Sequence, residues 1–193
     1  PNYVWEKQGI SWSKLTVSRN TFRILPEHQI SETVGPCIYL NDNSNISMPA
    51  TLAYLKTPTA NRFLKLLNPT VSLQTREVLS LPYIEPSTEI IDASETIFSL
   101  YKSDWLTKES SYEFVKLPIL TREGCTISTA YDQQVCINRS ILNKVKSIEF
   151  NINKYYKSSV STPNNEDEDI EPSDITLLCN PDYLYSSACK SEQ

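Results

Sequence analysis

The alternation of Ile10 and Trp12 with Ser11 and Ser13 has the two-residue period of a strand that buries one face. Residues 1–40 are rich in aromatic and branched side chains: Tyr3, Val4, Trp5, Ile10, Trp12, Leu15, Val17, Phe22 and Ile24. The pattern predicts strands over Ile10–Val17 and Thr21–Leu25, turns at Arg19-Asn20 and Pro26-Glu27, and a short strand at Cys37–Leu40. After a polar loop at Asn41–Asn45, Pro49–Leu67 reads as two helices. Thr57 is a good N-cap for the second, and Pro58 stands at its first position, where a missing N–H costs nothing. Ala60, Phe63, Leu64 and Leu67 form its apolar stripe, and Asn68-Pro69 stops it. Val71–Leu73 and Val78–Tyr83 read as short strands or extended segments.

Helical spacing returns at Ser87–Tyr101, where Ile90, Ile91, Ser94, Ile97, Phe98 and Tyr101 share a face. An aromatic connector with Trp105, Tyr112 and Phe114 follows, and Leu120–Ile137 reads as irregular or β. Arg139–Lys157 carries the clearest helical stripe, from Ile141 to Tyr156. Ser158–Pro172 is small, polar and acidic, as a flexible surface linker would be. The sum is an α+β fold. A small curved sheet from Pro1–Leu40 and Val71–Tyr83 carries packed helices, followed by helical segments and the acidic linker.

Composition narrows the chemistry. The chain has three glycines, Gly9, Gly35 and Gly124, too far apart for a dinucleotide fingerprint or a P-loop. Its single histidine, His28, excludes a multi-histidine metal site and lies in a Pro/Glu turn with no nucleophile beside it. Five cysteines (Cys37, Cys125, Cys136, Cys179 and Cys189) contain no C-x-x-C, so the expectation is free thiols in a reducing cytosol rather than zinc or disulfides. No run of apolar residues is long enough for a membrane span. The balance argues against a self-contained enzyme. The chain opens at Pro1 and is expected to be a piece of a longer protein.

Net charge is −5, but eight of the 23 acids and only one of the 18 bases, Lys190, fall in residues 164–193. Residues 1–163 therefore hold 15 acids against 17 bases, net +2. The body is mildly basic, which leaves room for nucleic-acid binding through local clusters but not through bulk attraction. The acidic run Glu166–Glu171 lacks the alternation and glycine of a calcium loop and reads as solvated. Asn180-Pro181-Asp182-Tyr183 is similar to the motif with which amino-methyltransferases hold a flipped base, but Asp182 replaces its second proline and an N-P turn is the simpler reading. Lys14, Arg19, Arg23, Lys65 and Arg76 are candidate DNA contacts, being residue types that read base edges or phosphates, weighed against ordinary solvated surface charge.

Ile10-Ser11-Trp12-Ser13-Lys14, Phe22-Arg23, the run Asn68-Pro69-Thr70-Val71-Ser72-Leu73-Gln74 after Leu64–Leu67, and Leu79-Ser80-Leu81-Pro82-Tyr83 together resemble the recognition region of the PglX family. These are adenine-specific DNA methyltransferases of BREX phage-defence systems. Lys102-Ser103-Asp104-Trp105 and Glu109–Phe114 resemble the family's following K-x-D-W and E-x-S-x-x-F stretches. The likeness covers residues 1–117. It departs at Arg76, where the family often has glycine, and fades from Leu120 onward.

The resemblance implies a target-recognition domain at 1–117, a helical or irregular extension at 118–157, and an acidic linker and tail at 158–193. It implies the specificity part of an N6-adenine methyltransferase of a restriction–modification or phage-defence system in the bacterial cytoplasm. S-adenosylmethionine would be the parent's cofactor, with none in this fragment, which should be inactive alone. Partners would be double-stranded DNA, the parent's own methyltransferase domain and other defence-system proteins, with no membrane. The alternative is a protein–protein interaction module without DNA contact, which the near-neutral body and aromatic connector also fit. Salt dependence of binding separates the two.

Overall fold

The computed structural model describes residues 6–17, 21–41, 45–121, 126–160 and 170–185. Three short strands, β1 (Gly9–Ser11), β2 (Arg23–Leu25) and β3 (Cys37–Tyr39), form an antiparallel sheet in the order β2-β1-β3. Ile10 stands opposite Ile24 on one side and Ile38 on the other, so one row of isoleucines crosses the sheet and packs on the core. Gly9 is required by the close approach of β3. A Cβ there would collide with Cys37 Sγ and lie 2.9 Å from the carbonyl oxygen of Ile38. Gly9→Ala should lower stability by about 1–3 kcal/mol, the usual cost of overpacking, read as a lower urea midpoint; an unchanged midpoint would show that the strands separate freely.

The strands are shorter than the hydrophobic pattern predicts because the chain after β1 changes partner. Trp12 N–H donates to Pro36 O (3.3 Å) and Lys14 N–H to Val34 O (3.0 Å). Thr16 N–H then donates to Val71 O (3.0 Å), while Lys14 O accepts from Leu73 N–H (2.8 Å). The extended segment is real, but its hydrogen bonds are split between two partners. Residues 71–73 meet it through a single bridge, Leu15 opposite Ser72, rather than as a sheet strand.

Helices α1 (Met48–Lys56) and α2 (Pro58–Leu67) form as their caps dictate. Ser47 Oγ accepts from Ala50 N–H at the start of α1. Thr57 ends one helix and starts the next: its hydroxyl donates to Tyr54 O (2.6 Å) and accepts from Ala60 N–H (3.2 Å). Ala60 and Leu64 are buried, but Leu67 at the end of the expected stripe is half exposed. The expected extended segment at Val78–Tyr83 begins instead inside a helix, α3 (Thr75–Leu79). The Glu77 carboxylate accepts from Gln74 N–H (2.8 Å) and fixes its first turn, and Val78 goes into the core.

Contacts divide the chain into two units: Pro1–Ser94 with Ile152–Asn164, and Glu95–Asn151 with Asn165–Gln193. Helices α4 (Thr88–Trp105) and α5 (Ile127–Ser159) each contribute to both. The core of the first unit is Ile10, Trp12, Phe22, Leu55, Leu64, Leu73 and Val78, with the Trp12 and Phe22 rings 5.7 Å apart. It also holds Tyr54 and Tyr156, whose rings meet at a tilt with centroids 4.9 Å apart, and Tyr155 Oη donates to Glu85 O (2.7 Å).

The second unit buries Ile97, Val145, Ile170, Ile175 and Leu177. Within it Tyr101 Oη donates to Glu149 Oε1 (2.9 Å), and burial with the adjacent carboxylate pushes the Tyr101 phenol up. Helix α5 starts well before Arg139, so the irregular or β reading of Leu120–Ile137 fails from Ile127 onward. Thr126 caps it, accepting from Thr129 N–H (3.3 Å), and Ala130 and Gln134 outweigh the weak helix preference of Ile127, Thr129 and Val135. The same helix runs into the expected linker as far as Ser159, and Ile170 beyond it is buried; Glu166–Asp169 lie outside the described residues. Asn180 caps α6 (Pro181–Leu184): its Oδ1 accepts from Asp182 N–H (3.2 Å), while its Nδ2 donates to Pro172 O and Ile175 O. Asn180-Pro181 is therefore a capped turn with its amide committed to backbone.

Candidate nucleic-acid interface

Trp12 places the surface that matters most. It is fully buried, and its indole Nε1–H donates to Leu73 O (3.1 Å), 61 residues away. A buried indole N–H needs an acceptor, and this one ties residues 71–74 to the strand that leaves β1. The two sequence stretches that carry the family resemblance, around Trp12 and around Asn68–Gln74, thus meet through this side-chain hydrogen bond and the Lys14–Leu73 backbone bond.

The loop between α2 and α3 is built to hold that position. Asn68 ends α2, and its Oδ1 accepts from Thr70 N–H (3.0 Å) and Thr70 Oγ1 (2.7 Å). Its Nδ2 donates to Ser72 O (2.8 Å). Gln74 Nε2 donates to Ser72 Oγ (2.8 Å). Pro69 fixes one backbone angle in between.

The candidate cations fall around this frame. Lys14 is half-buried and its backbone bonds to both Val34 and Leu73. Arg23 is exposed on β2 and its Nη1 donates to Ser13 Oγ (3.4 Å), next to Lys14. Arg76 is exposed on α3, with Glu77 Oε1 3.4 Å from its guanidinium. Arg23 reaches Ser13, the sequence neighbour of Lys14, and the Lys14 backbone pairs with Leu73, three residues before Arg76; no described contact joins the three cationic side chains directly. Lys65 is exposed beside the buried Leu64 on α2, and no described contact joins it to the other three. Arg19 lies outside the described residues.

Four neighbours of these cations carry chemistry that residue type alone did not single out: Ser13, Leu15, Ser72 and Gln74. Gln74 could have been found, since glutamine is a base-edge reader and directly follows the Asn68–Leu73 stretch. Leu15 could not, because an apolar residue in a strand pattern is assigned to the core.

No family model matches the chain. It is similar to two curated proteins. One is the adenine-specific methyltransferase PglX of Lacticaseibacillus casei (strain Zhang), 25% identical over 175 residues and 85% of this chain. The other is the adenine-specific methyltransferase BrxX of Escherichia coli O9:H4 (strain HS), 22% identical over 182 residues and 94% of this chain. The two matches support a PglX/BrxX-like family, as the motifs implied, and extend the likeness past residue 117. The chain spans 14% and 15% of the lengths of these relatives.

Proposed function

We propose that this chain is the DNA target-recognition region of an S-adenosylmethionine-dependent, adenine-specific DNA methyltransferase of a phage-defence system. The observation that supports the reading is the pairing of the strand around Lys14, whose Ser13 accepts from Arg23, with residues 71–73, fastened by the buried Trp12 indole. Cations there can take phosphates, and amides and hydroxyls can take base edges. Similarity to two adenine-specific methyltransferases supports the parent's chemistry. In this reading S-adenosylmethionine is the cofactor of the parent's methyltransferase domain, as the similarity to two adenine-specific methyltransferases suggests. Methyl transfer belongs to the parent, and duplex DNA and the parent's methyltransferase domain are the partners of this reading.

The test is DNA binding by the chain across salt, with duplexes of varied sequence. Arg23→Ala should cost about 1–3 kcal/mol and relax preference at one position, as a base reader does. Lys65→Ala should weaken all duplexes alike and lower the salt slope by about one unit, as a phosphate contact does. Unchanged binding on replacing Lys14, Arg19, Arg23, Lys65 and Arg76 together would overturn the assignment.

A protein-interaction role is favoured by a different observation, in the second unit. Between Trp105 and Ile137, Tyr112, Val115, Leu120, Ile127 and Tyr131 are exposed, while Ser111 and Ala130 are buried. Partner binding insensitive to salt would support that reading.

A further inference from the structure

Resting on the DNA-binding reading above, we propose that the outward side of the Leu15–Ser72 pairing is the base-reading element, Leu15 and Val17 meeting thymine methyl groups and Gln74 an adenine edge in the major groove. Leu15 and Ser72 face each other as a pair flanked by the Thr16–Val71 and Lys14–Leu73 hydrogen bonds. In such a non-hydrogen-bonded pair the two side chains stand close together on one side of the ribbon. That side is open. Leu15 is 63% exposed and Val17 is 96% exposed. Singly scattered surface apolar residues are ordinary. Here two of them lie along one edge, opposite a serine whose hydroxyl orients a glutamine amide.

The chemistry of that edge matches one A·T pair better than a protein surface. In the major groove a thymine offers a methyl group, and an adenine offers an N7 acceptor beside an N6 donor. Leucine and valine suit the first. Glutamine suits the second, because its amide offers an oxygen and two N–H groups in one plane. Ser72 takes one Gln74 N–H and leaves the other, and the amide oxygen has two lone pairs, of which a cap to the α3 backbone uses one at most. The amide is therefore held in place without being used up. A two-stranded ribbon fits a major groove about 12 Å wide. Arg76, two residues beyond Gln74 and 89% exposed, carries positive charge beside it, with the Glu77 carboxylate 3.4 Å from its guanidinium, and Lys14, next to Leu15, lies on the other side of the strand. With the Gln74 amide and the Ser72 hydroxyl on the same side, that charge suits the patch to a nucleic acid better than to a wholly apolar protein face.

The experiment is selection by the full chain from duplexes randomised over about ten pairs, followed by single thymine-to-deoxyuridine replacements in the selected duplex. The wild-type chain should select a motif containing an A·T pair and lose about fourfold in affinity when one particular methyl is removed, the worth of about one buried methyl group. The double variant Leu15→Ser, Val17→Ser should be indifferent to that replacement. Gln74→Ala should lose about tenfold or more of its discrimination for the neighbouring adenine. Melting curves of the variants should match the wild type, since all three side chains are exposed. A wild type that selects a motif the variants read equally well would overturn the base-reading element and leave DNA recognition standing. A wild type that selects nothing and binds no duplex over competitor would overturn both.

Discussion

Replacing Trp12 by alanine is expected to cost about 3–5 kcal/mol, the range for deleting a buried aromatic, against a total of about 5–15 kcal/mol for a folded domain. Trp12 is fully buried beside Phe22 and among Leu55, Leu64 and Leu73, so the cavity would open at the centre of the first unit. Trp12→Phe keeps an aromatic ring but removes the indole N–H together with part of the ring volume, so its loss combines the hydrogen bond with a smaller cavity. Leu73 O loses its indole donor, at about 1–3 kcal/mol for a buried acceptor left unmade. Urea unfolding of both variants measures this, and equal midpoints for Trp12→Phe and wild type would show that neither the Trp12–Leu73 bond nor the lost ring volume stabilises the fold. Function should follow the same bond. With the indole donor gone, residues 71–74 are held to the strand beside Lys14 by backbone bonds alone, and Trp12→Phe should lose part of its DNA sequence preference at temperatures where it is still folded. The salt-dependent phosphate term should persist.

The two helices joined at Thr57 were legible in the sequence because a cap is a local device. Thr57 and Pro58 carry the needed hydroxyl and fixed angle whatever the rest of the chain does. The stripe from Ile141 to Tyr156 was legible for the same kind of reason, a period repeated over several turns. Helix α3 was not, since five residues are too few to show a period and the decisive group, the Glu77 carboxylate on Gln74 N–H, sits in a stretch that also reads as strand. The start of α5 was hidden by β-branched Ile127, Thr129 and Val135, whose preferences a long helix overrides once Thr126 caps it.

Strand boundaries near the candidate interface depended on a partner far away in sequence. Nothing between Ser11 and Val17 says that hydrogen bonding passes from Val34 to Val71. The same distance limits the site. Lys14, Arg23 and Arg76 could be picked by residue type, but Leu15 and Gln74 acquire their shared side only through Ser72. The resemblance pointed at both halves of the frame without giving the bonds between them.

Asp104 is expected to be the second position of large effect, for a reason that its helix does not supply. A carboxylate in the last turn of a helix opposes the helix dipole, and Asp104 stands there in α4. Its oxygens instead accept two consecutive backbone N–H groups, those of Leu178 (2.5 Å) and Cys179 (3.0 Å), holding the segment that buries Ile175 and Leu177. Hydrogen bonds to a charged group are worth about 1.5–3 kcal/mol each, and water can replace part of that in a half-buried site, so Asp104→Ala should cost about 3 kcal/mol. Asp104→Asn keeps one acceptor oxygen and should lose about half as much.

The Cys179 thiol reports the change. Burial first, then the neighbouring Asp104 charge, pushes it from 9.0 up to about 12. Its protonated form is favoured by the fold, so its contribution to stability is present below pH ~9 and is lost as pH rises from there towards the folded value. Alkylation by iodoacetamide at pH 8, followed peptide by peptide, should be slow at Cys179 and faster at the exposed Cys136. In Asp104→Ala the Cys179 rate should rise severalfold and its onset should move to lower pH, with amide exchange at Leu178 and Cys179 accelerating in parallel. Unchanged exchange at those two amides would show that Asp104 does not hold the segment.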